Sequence, residues 1–501
     1  MSDAPRKAGK PIWPKIPAAF VRAVLAGHSS LGLAFAALIY LVCFSGSVAV
    51  FAREFQRWET PRAAPMRNVS PEAVQTAAYA AIAKVHEVEH VYINLPRRDL
   101  PRLVLTVDGE GPNRTFFADA DGRLIDTPDP VWTNFMMKLH ADLHLPRTIG
   151  DFLVGMVGVA LLSSLISGVL AHPRIFKDAF HLRWGGSKRL QEADLHNRLG
   201  VWAMPFHVLV STTGALLGLT TIIVGALALA VFQGDMDKAY ALFLPPHPKD
   251  DPRPAITQPL IVKAMEESIK RAPGGRLAYV GLEHPLERGA GITVLVNHPK
   301  LMADSDSFAF DGQARLLEAE HLSKANLGEK ILGSVSVLHF GWFGGGAVKI
   351  AYGLLGLALC AVTSSGVAIW LARRRDKGRP APRWERLWIA AVWSQPLAFA
   401  GSGLVVLLPM VPASPAVAIG SWLGLTIVVG LMTAWISADA LSRGLRLGSG
   451  ALMLAVAALW IARHAAAAVD PMGWIMTAAI AALGAALILT VGLKKTKAAA
   501  A

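Results

Sequence analysis

The sequence predicts a polytopic α-helical membrane protein with about eight spans and two small α+β domains outside the membrane. Hydrophobic residues make up 53% of the 501-residue chain and charged residues only 17%, which is less charge than a soluble protein of this length carries. Its long apolar stretches can each cross a hydrocarbon core of about 30 Å as a helix. The predicted spans are residues 27–50, 149–171, 199–232, 347–371, 387–410, 416–438, 448–464 and 472–493, of which the seventh is the shortest.

The formal charge of +13 predicts membrane topology, not nucleic-acid binding, because of where the basic residues lie. Every basic cluster falls on the same side of an eight-span chain, so the positive-inside rule predicts that both termini are cytoplasmic. No small-residue cleavage site follows the first apolar run, which is therefore expected to be a retained span. The clusters are Arg6, Lys7, Lys10, Lys15 and Arg22; Arg174, Lys177, Arg183, Lys188 and Arg189; Arg373, Arg374, Arg375, Lys377, Arg379, Arg383 and Arg386; Arg443 and Arg446; and Lys494, Lys495 and Lys497.

Two polar segments, residues 52–138 and 233–338, show the same predicted order of elements. The first has a helix that begins after Ser70, where a serine N-cap is followed by proline in the first turn. The second has a helix over about 258–271. Strand-like runs follow each helix, and they are residues 91–95, 103–107, 115–118, 277–282, 292–296 and 307–310. The order of span, α+β domain and span occurs twice, which predicts an internal duplication that builds a site between its repeats.

The rest of the chain is predicted to be helical or cytoplasmic. Spans five to eight have no matching polar segment and few ionisable groups, so we interpret them as an appended helical module. The remaining segments are a cytoplasmic N-terminal segment (1–26), basic cytoplasmic loops (172–198 and 372–386), the appended four-helix module (387–493) and a cytoplasmic tail (494–501).

Histidines recur at the ends of the first four spans in register with Ser/Thr-Gly pairs. In the first and third spans the glycine lies 18 residues after His28 and His196, which are both placed at the cytoplasmic ends. His140 and His339 are both placed at the outer ends of spans two and four. Ionisable groups in a membrane are costly, and a haem iron can take two imidazoles on opposite faces. The two levels therefore predict axial ligands for haem, with amphipathic anchoring as the alternative for any single histidine.

Three further histidines have open roles. His144 lies one turn beyond His140 and can replace it as the outer ligand, because positions four apart share a helical face. His207 lies about 16 Å deeper than His196 at 1.5 Å per residue, and this depth favours either a haem or quinone role or a paired structural one. His172 ends the second span and can reach the inner level, but a helix C-terminus favours histidine on dipole grounds alone.

A run of aromatic and glycine residues, 342–346, follows His339. It predicts either a loop that approaches a bound group closely or an interfacial aromatic anchor with a flexible joint. No Walker loop, dinucleotide fingerprint, zinc spacing or Ser/His/Asp arrangement is evident. Electrons would therefore arrive from a separate donor or a membrane quinol.

Three stretches resemble the PepSY-associated transmembrane helix proteins, over about residues 20–375. They are Leu139-His140 with Ser167-Gly168-Val169-Leu170-Ala171-His172-Pro173-Arg174-Ile175-Phe176-Lys177-Asp178; Asp194-Leu195-His196-Asn197 with Met204-Pro205-Phe206-His207 and Thr213-Gly214; and Leu338-His339-Phe340-Gly341 with Phe343-Gly344-Gly345 and Ser365-Gly366-Val367-Ala368-Ile369-Trp370. Ser45-Gly46 and Ser365-Gly366 stand where threonine-glycine is frequent in that family. The last four spans look like an extension found in a longer subgroup.

This family includes iron-regulated inner-membrane proteins and ferric-siderophore reductases. The resemblance implies a di-haem four-helix core with periplasmic PepSY-like domains. Carried onto this sequence, it implies that His28 and His196 bind the inner haem and that His140 and His339 bind the outer one.

The leading hypothesis is a bacterial inner-membrane protein with two haem b groups that reduces a periplasmic acceptor, with a ferric siderophore as the expected acceptor. Hard oxygen ligands hold Fe(III) strongly, so adding one electron weakens the chelate. The donor would be a quinol or a cytoplasmic reductase, and no protein group is expected to act covalently. The main alternative is a non-enzymatic PepSY membrane protein that binds peptides or regulates a protease or transporter. A transporter built on the last four spans is a third hypothesis, with little support from their few charges.

Overall fold

The computed structural model describes residues 17–111, 113–127, 129–172, 188–240, 248, 251–298, 305–322, 324–467 and 469–499. Several predicted features lie outside these residues. They are most of the N-terminal segment with its cluster Arg6, Lys7, Lys10 and Lys15, and the part of the loop with Arg174, Lys177 and Arg183.

The described chain is mainly helical and has one group of strands on each side of the second and third predicted spans. The helices are α1 (Ala18–Ala49), α2 (Ala52–Glu59), α3 (Pro71–Ile82), α4 (Val131–Ala141), α5 (Arg147–Ala171), α6 (Lys188–Trp202), α7 (Met204–Gly218), α8 (Thr220–Val231), α9 (Met236–Tyr240), α10 (Ile261–Arg271), α11 (Leu327–Gly333), α12 (Val335–Phe340), α13 (Gly345–Asp376), α14 (Pro382–Leu407), α15 (Pro415–Met432), α16 (Ala438–His464) and α17 (Pro471–Ala499). The strands are β1 (His90–Asn94), β2 (Leu103–Asp108), β3 (Arg114–Ala118), β4 (Leu124–Ile125), β5 (Arg276–Glu283), β6 (Gly291–Asn297), β7 (Asp306–Asp311) and β8 (Leu316–Glu320).

Among the described residues, seven helices are long and apolar enough to cross a membrane: α1, α5, α13, α14, α15, α16 and α17. The pair α6 and α7 makes an eighth span if it is counted as one. The seventh predicted span, 448–464, is part of a 27-residue helix that begins much earlier, because the Ser437 side chain caps its N-terminus. The chain is therefore a multi-pass helical membrane protein, as predicted.

The third predicted span, 199–232, is divided among parts of three shorter helices, α6, α7 and α8. The axis bends by 69° between α6 and α7, at Ala203. Pro205 is responsible, because it lacks an N–H to donate to Val201 and its ring crowds that carbonyl. A second break at Leu219 separates α7 from α8.

The two polar segments form one eight-stranded antiparallel sheet, in the order β4-β3-β2-β1-β5-β6-β7-β8. This corrects the expectation of two separate small domains. The halves join where β1 pairs with β5, with Tyr92 opposite Gly281. Val91 and Ile93 point to the face covered by α3 and α10, and both are fully buried in the main core of the sheet. The α3 helix begins as predicted, since the Ser70 hydroxyl accepts a hydrogen bond from the Ala73 amide at 3.2 Å.

The membrane helices pack in two groups. In the first, α1 packs against α5 and α13, α5 against α7, and α13 against α6. In the second, α14 packs against α15 and α16, and α16 against α17. The α14 helix also contacts α1 and α4, and α17 contacts α2, so the second group lies against the first.

A buried ion-pair network ties the last helix to the sheet. The Asp470 carboxylate, just before α17, accepts two hydrogen bonds of 2.7 Å from Arg57 of α2 and one of 2.9 Å from Arg102. Burial alone would raise the pKa of Asp470, but the hydrogen bonds from Arg57 and the Met472 amide and the charges of both arginines outweigh it, so its pKa lies below the usual range. Arg102 directly precedes β2, so one carboxylate joins three parts of the fold.

Candidate functional site

Two of the predicted histidines, His28 of α1 and His196 of α6, form a pair that we call the far pair. Their ring centroids are 6.3 Å apart and their planes are inclined at 75°. The Nδ1 atom of His28 lies 3.0 Å from the Ser164 carbonyl oxygen and 3.2 Å from the Ser167 hydroxyl, both on α5. A carbonyl oxygen only accepts, so Nδ1 carries the proton and Nε2 keeps its lone pair.

His196 is held in the same way by a different helix. Its Nδ1 atom lies 2.9 Å from the Val362 carbonyl oxygen and 3.2 Å from the Ser365 hydroxyl, both on α13. Its Nε2 atom is therefore also left as an acceptor or metal ligand. Both imidazoles of the far pair offer the nitrogen that a metal ion needs.

The other two predicted histidines, His140 of α4 and His339 of α12, form the sheet-side pair. Their ring centroids are 6.2 Å apart and their planes are nearly parallel, at 16°. The Nδ1 atom of His140 lies 3.0 Å from the Val42 carbonyl oxygen. The Nδ1 atom of His339 lies 2.9 Å from the Thr213 hydroxyl, which already donates to the Leu209 carbonyl at 2.7 Å and so accepts from the histidine.

Each Ser/Thr-Gly pair contacts a histidine of another helix. The spacing of the pairs in the sequence does not show which histidine that is. A Cβ atom on Gly46 would lie 2.6 Å from Cε1 of His140, and one on Gly214 would lie 2.9 Å from Cε1 of His339. The glycines of the other two pairs make the same kind of approach more loosely, with 3.3 Å from a Gly168 Cβ to His28 and from a Gly366 Cβ to His196. In each pair the hydroxyl residue lies beside Nδ1 and the glycine admits the ring.

The two pairs lie at opposite ends of one helical bundle. On α1, His28 belongs to the far pair, while Gly46 contacts His140 of the sheet-side pair. These two positions are about 27 Å apart along the helix at 1.5 Å per residue. Arg53, just beyond α1, pairs with Asp99 between β1 and β2, so the His140 end of the bundle is the end beside the sheet. The far pair and the sheet-side pair therefore lie at different levels of the bundle.

A cavity between the helices opens at the far pair and is suited to a flat ligand. Small residues line it on four helices, and they are Gly32, Gly168, Gly200 and Gly366. Two imidazoles that bind one metal through Nε2 at about 2 Å have ring centroids roughly 6 Å apart, as both pairs do. The donor set, the protonated Nδ1 atoms and the glycine clearances therefore fit bis-histidine haem.

Of the three further histidines, none joins either pair. The Nε2 atom of His144 lies 2.9 Å from the Phe135 carbonyl oxygen, and its ring stacks on Phe135 at 5.1 Å. The structure thus places His140, not His144, opposite His339. His172 is exposed at the end of α5 and lines the far cavity.

His207 is fully buried in α7. The backbone of Leu355 acts on its ring, but neither ring nitrogen makes a hydrogen bond of ordinary geometry with a described residue. The ring packs edge-on to Phe206 at 5.9 Å.

Glu59 caps the helix that carries His140, and no local sequence signal indicates this role. At the end of α2, it accepts hydrogen bonds from the Trp132 amide at 2.8 Å and from the Thr133 amide and hydroxyl at 2.9 Å each. These donors belong to the first turn of α4, the helix that carries His140. Burial raises the pKa of Glu59 to about 7, although the three hydrogen bonds act in the opposite direction. Such a cap is invisible in sequence because it comes from a distant element, not from the residue before the helix.

The chain is similar to a known protein and matches a known family. The uncharacterized protein PA4219 of Pseudomonas aeruginosa is 29% identical over 253 residues, which cover 48% of this chain and 64% of that protein. The chain thus matches less than two thirds of the length of that relative. A family model described as the PepSY-associated TM region matches residues 25–373, which include all four paired histidines and the whole sheet. The chain therefore belongs to the PepSY-associated transmembrane family.

Proposed function

We propose that this protein is a di-haem electron carrier of the bacterial inner membrane that reduces an acceptor on the sheet side. The observation that carries the proposal is the occurrence of two imidazole pairs, with centroid separations of 6.3 and 6.2 Å, at the two ends of one bundle. A single buried histidine is commonly structural, but two pairs with the same Nδ1 anchoring favour metal ligation. In this proposal the acceptor is a ferric siderophore, and the donor is a quinol or a cytoplasmic reductase.

The residues of the chain would hold haem b at each level and fix its orientation. Bound there, haem would supply one-electron redox chemistry. The Ser164 and Val362 carbonyl oxygens keep the far imidazoles in the Nδ1–H form, and the Val42 carbonyl and Thr213 hydroxyl do so for the sheet-side imidazoles. The acceptor gains one electron, which converts Fe(III) to Fe(II) and weakens its hold by hard oxygen ligands.

We also infer that the chain arose by duplication, that the sheet is periplasmic and that both termini are cytoplasmic. Each half of the sheet has one helix and four strands in the same order, with α3 before β1 to β4 and α10 before β5 to β8. The span before each half carries a histidine of the far pair. A histidine of the sheet-side pair lies between each half and the span that follows it. The basic residues between α13 and α14, at the end away from the sheet, support a cytoplasmic location for that end.

Haem content tests the proposal directly. Purified full-length protein should give two b-type haems per chain by pyridine haemochrome assay. The variants His28→Ala and His140→Ala should each retain about one, since each removes one ligand of one pair. His86→Ala alters an exposed histidine of the sheet region and should retain two.

Two further measurements keep the outcome interpretable if a variant is unstable. Size-exclusion profiles report whether each variant is folded, and added imidazole should restore part of the lost haem. Unchanged haem content in both His28→Ala and His140→Ala, or the absence of a reducible spectrum in folded wild-type protein, would contradict the proposal. That result would favour a non-enzymatic role for this membrane protein.

A further inference from the structure

A cavity of about 880 Å³ beside the sheet has a strongly basic lining. Its charged lining residues are Arg67, Arg97, Arg98 and Arg276, and its described lining includes no acidic residue. Asn68 and apolar residues from the same segments complete the lining. Guanidinium groups gathered in this way repel one another, so their arrangement favours a bound anion.

The sheet register brings these arginines together. Arg97 and Arg98 follow β1, and Arg276 opens β5, its antiparallel neighbour. Since Asn94 pairs with Tyr279, the end of one strand lies beside the start of the other. The cavity therefore sits at the junction of the two halves of the sheet, where each half contributes positive charge.

Aromatic rings connect this cavity to the sheet-side pair. The Arg97 guanidinium lies 5.8 Å from the centroid of the Trp342 ring, and Trp342 stacks on Phe340 at 4.5 Å. The Phe340 ring is 5.5 Å from the His339 ring. Every step from the cavity arginine to the histidine is thus shorter than 6 Å, and the Trp342 side chain is 44% exposed.

Nearby acidic residues already have basic partners of their own. Asp99 pairs with Arg53, whose guanidinium also lies 4.3 Å from the Trp342 centroid. Glu54 pairs with Lys349 at 2.7 Å. Asp99 and Glu54 each therefore have a basic partner that lies outside the cavity lining.

We propose that this cavity binds a small polyanionic metal chelate whose outer oxygens are carboxylate or catecholate groups. The volume is in the range of small-molecule sites, and arginine forks bind such oxygens in a bidentate way. Binding of the chelate does not depend on the proposed function, but its role as electron acceptor does. In this proposal Trp342 of the run 342–346 lies between Arg97 of the chelate site and Phe340, which contacts His339.

Direct binding tests the site without any redox step. The probe is gallium(III) citrate, a redox-inert analogue of ferric citrate, added to purified full-length protein in phosphatidylcholine nanodiscs. Wild-type protein should bind it saturably, and Arg98→Glu and Arg276→Glu should each weaken binding at least tenfold. Arg123→Glu changes a comparably exposed arginine on the β3–β4 turn and should leave the affinity unchanged. Equal affinity in all four proteins, or no saturable binding to the wild type, would overturn the proposal.

A lipid headgroup could present similar anionic oxygens, so the membrane composition is varied. Binding of gallium(III) citrate should persist in nanodiscs that contain phosphatidylglycerol. Its complete displacement there, with phosphatidylglycerol binding that depends on Arg98, would reassign the cavity to lipid and overturn the proposal.

Electron transfer separates this proposal from the proposed function. Dithionite-reduced protein is mixed with ferric citrate, an anion, or with hexaammineruthenium(III), a cation, and its reoxidation is followed by absorbance. Arg98→Glu should slow the reaction with ferric citrate at least tenfold and leave the reaction with the cation unchanged. If gallium(III) citrate binds but no redox-active group can be reduced in the wild type, the chelate site stands and the electron-carrier function fails.

Discussion

The Nδ1 atom of His140 in α4 lies 3.0 Å from the carbonyl oxygen of Val42 in α1. This bond fixes the tautomer of the imidazole and leaves the Nε2 lone pair available, and the His339 ring lies 6.2 Å away. The far pair follows the same rule, since its anchoring oxygens also come from other helices. The packing of two helices thus sets the orientation of each imidazole. Substitutions on the anchoring helix should therefore disturb the imidazole as strongly as substitutions next to the histidine in its own helix.

Gly46→Ala is expected to disturb the sheet-side pair while leaving the far pair intact. Its Cβ atom would lie 2.6 Å from Cε1 of His140, which the rigid ring can relieve only by moving. Haem content should fall from about two to about one per chain in the pyridine haemochrome assay. Gly27→Ala is a matched control in the same helix, because no atom lies within 4 Å of its Cβ position. Equal haem content in the two variants would contradict the expectation.

Glu59→Gln is expected to remove a pH dependence of stability. The folded-state pKa of Glu59 is raised from 4.5 to about 7 by burial, so the folded protein keeps a proton that the unfolded chain releases. The stability associated with this group is therefore full below about pH 4.5 and is lost as pH rises toward 7. Thermal unfolding between pH 4.5 and 8 should show a downward slope in the wild type that is smaller in Glu59→Gln.

The exposed Glu110 provides the control for that measurement. Glu110→Gln should retain the wild-type slope, since this side chain lies in the loop between β2 and β3. Parallel slopes for the wild type and Glu59→Gln would mean that Glu59 does not titrate in this range.

Asp470→Ala is expected to destabilise the protein strongly. It leaves Arg57 and Arg102 buried without their shared carboxylate, and breaking a buried pair costs about 3–5 kcal/mol. Thermal unfolding at neutral pH should show a lower Tm, and limited proteolysis should show easier cleavage before α17. Asp121→Ala removes a carboxylate that is 74% exposed and should change the Tm little.

His207→Leu is expected to keep both haems and to stabilise the fold by about 1 kcal/mol or more, because a buried polar group without a good hydrogen bond carries a desolvation cost. The comparison is His144→Leu, which loses the 2.9 Å bond to the Phe135 carbonyl and should lower the Tm. Loss of stability or of haem in His207→Leu would instead indicate that His207 holds a ligand.

The sequence predicted most of what short-range periodicity controls. Apolar length located the membrane helices, and the Ser70 cap and alternating runs located α3 and the longer strands. It did not predict the 69° bend at Ala203, because the long apolar run hid the effect of Pro205. The edge strands β4 and β8 were also missed, since each pairs on one side only and has weak alternation of its own.

The sequence identified the four paired histidines, but not their anchoring partners. The constant spacing linked His28 to Gly46, whereas in the structure Gly46 admits His140. The spacing of residues within one helix indicates the level at which each residue lies. The packing between helices determines which residues it contacts. For the same reason, sequence periodicity could not distinguish His140 from His144, while the turn after α4 directs His144 onto Phe135.

The pairing of β1 with β5 also constrains the order of events during synthesis. Until β5 has been made, β1 is an edge strand whose backbone groups lack their final partners, and such edges invite incorrect pairing. The second half of the sheet becomes available only after α5, α6 and α7 have been synthesised. The first half of the sheet must therefore wait, on its own side of the membrane, for a segment that the ribosome produces two spans later. The basic cavity at the junction forms only when that segment has paired with β1.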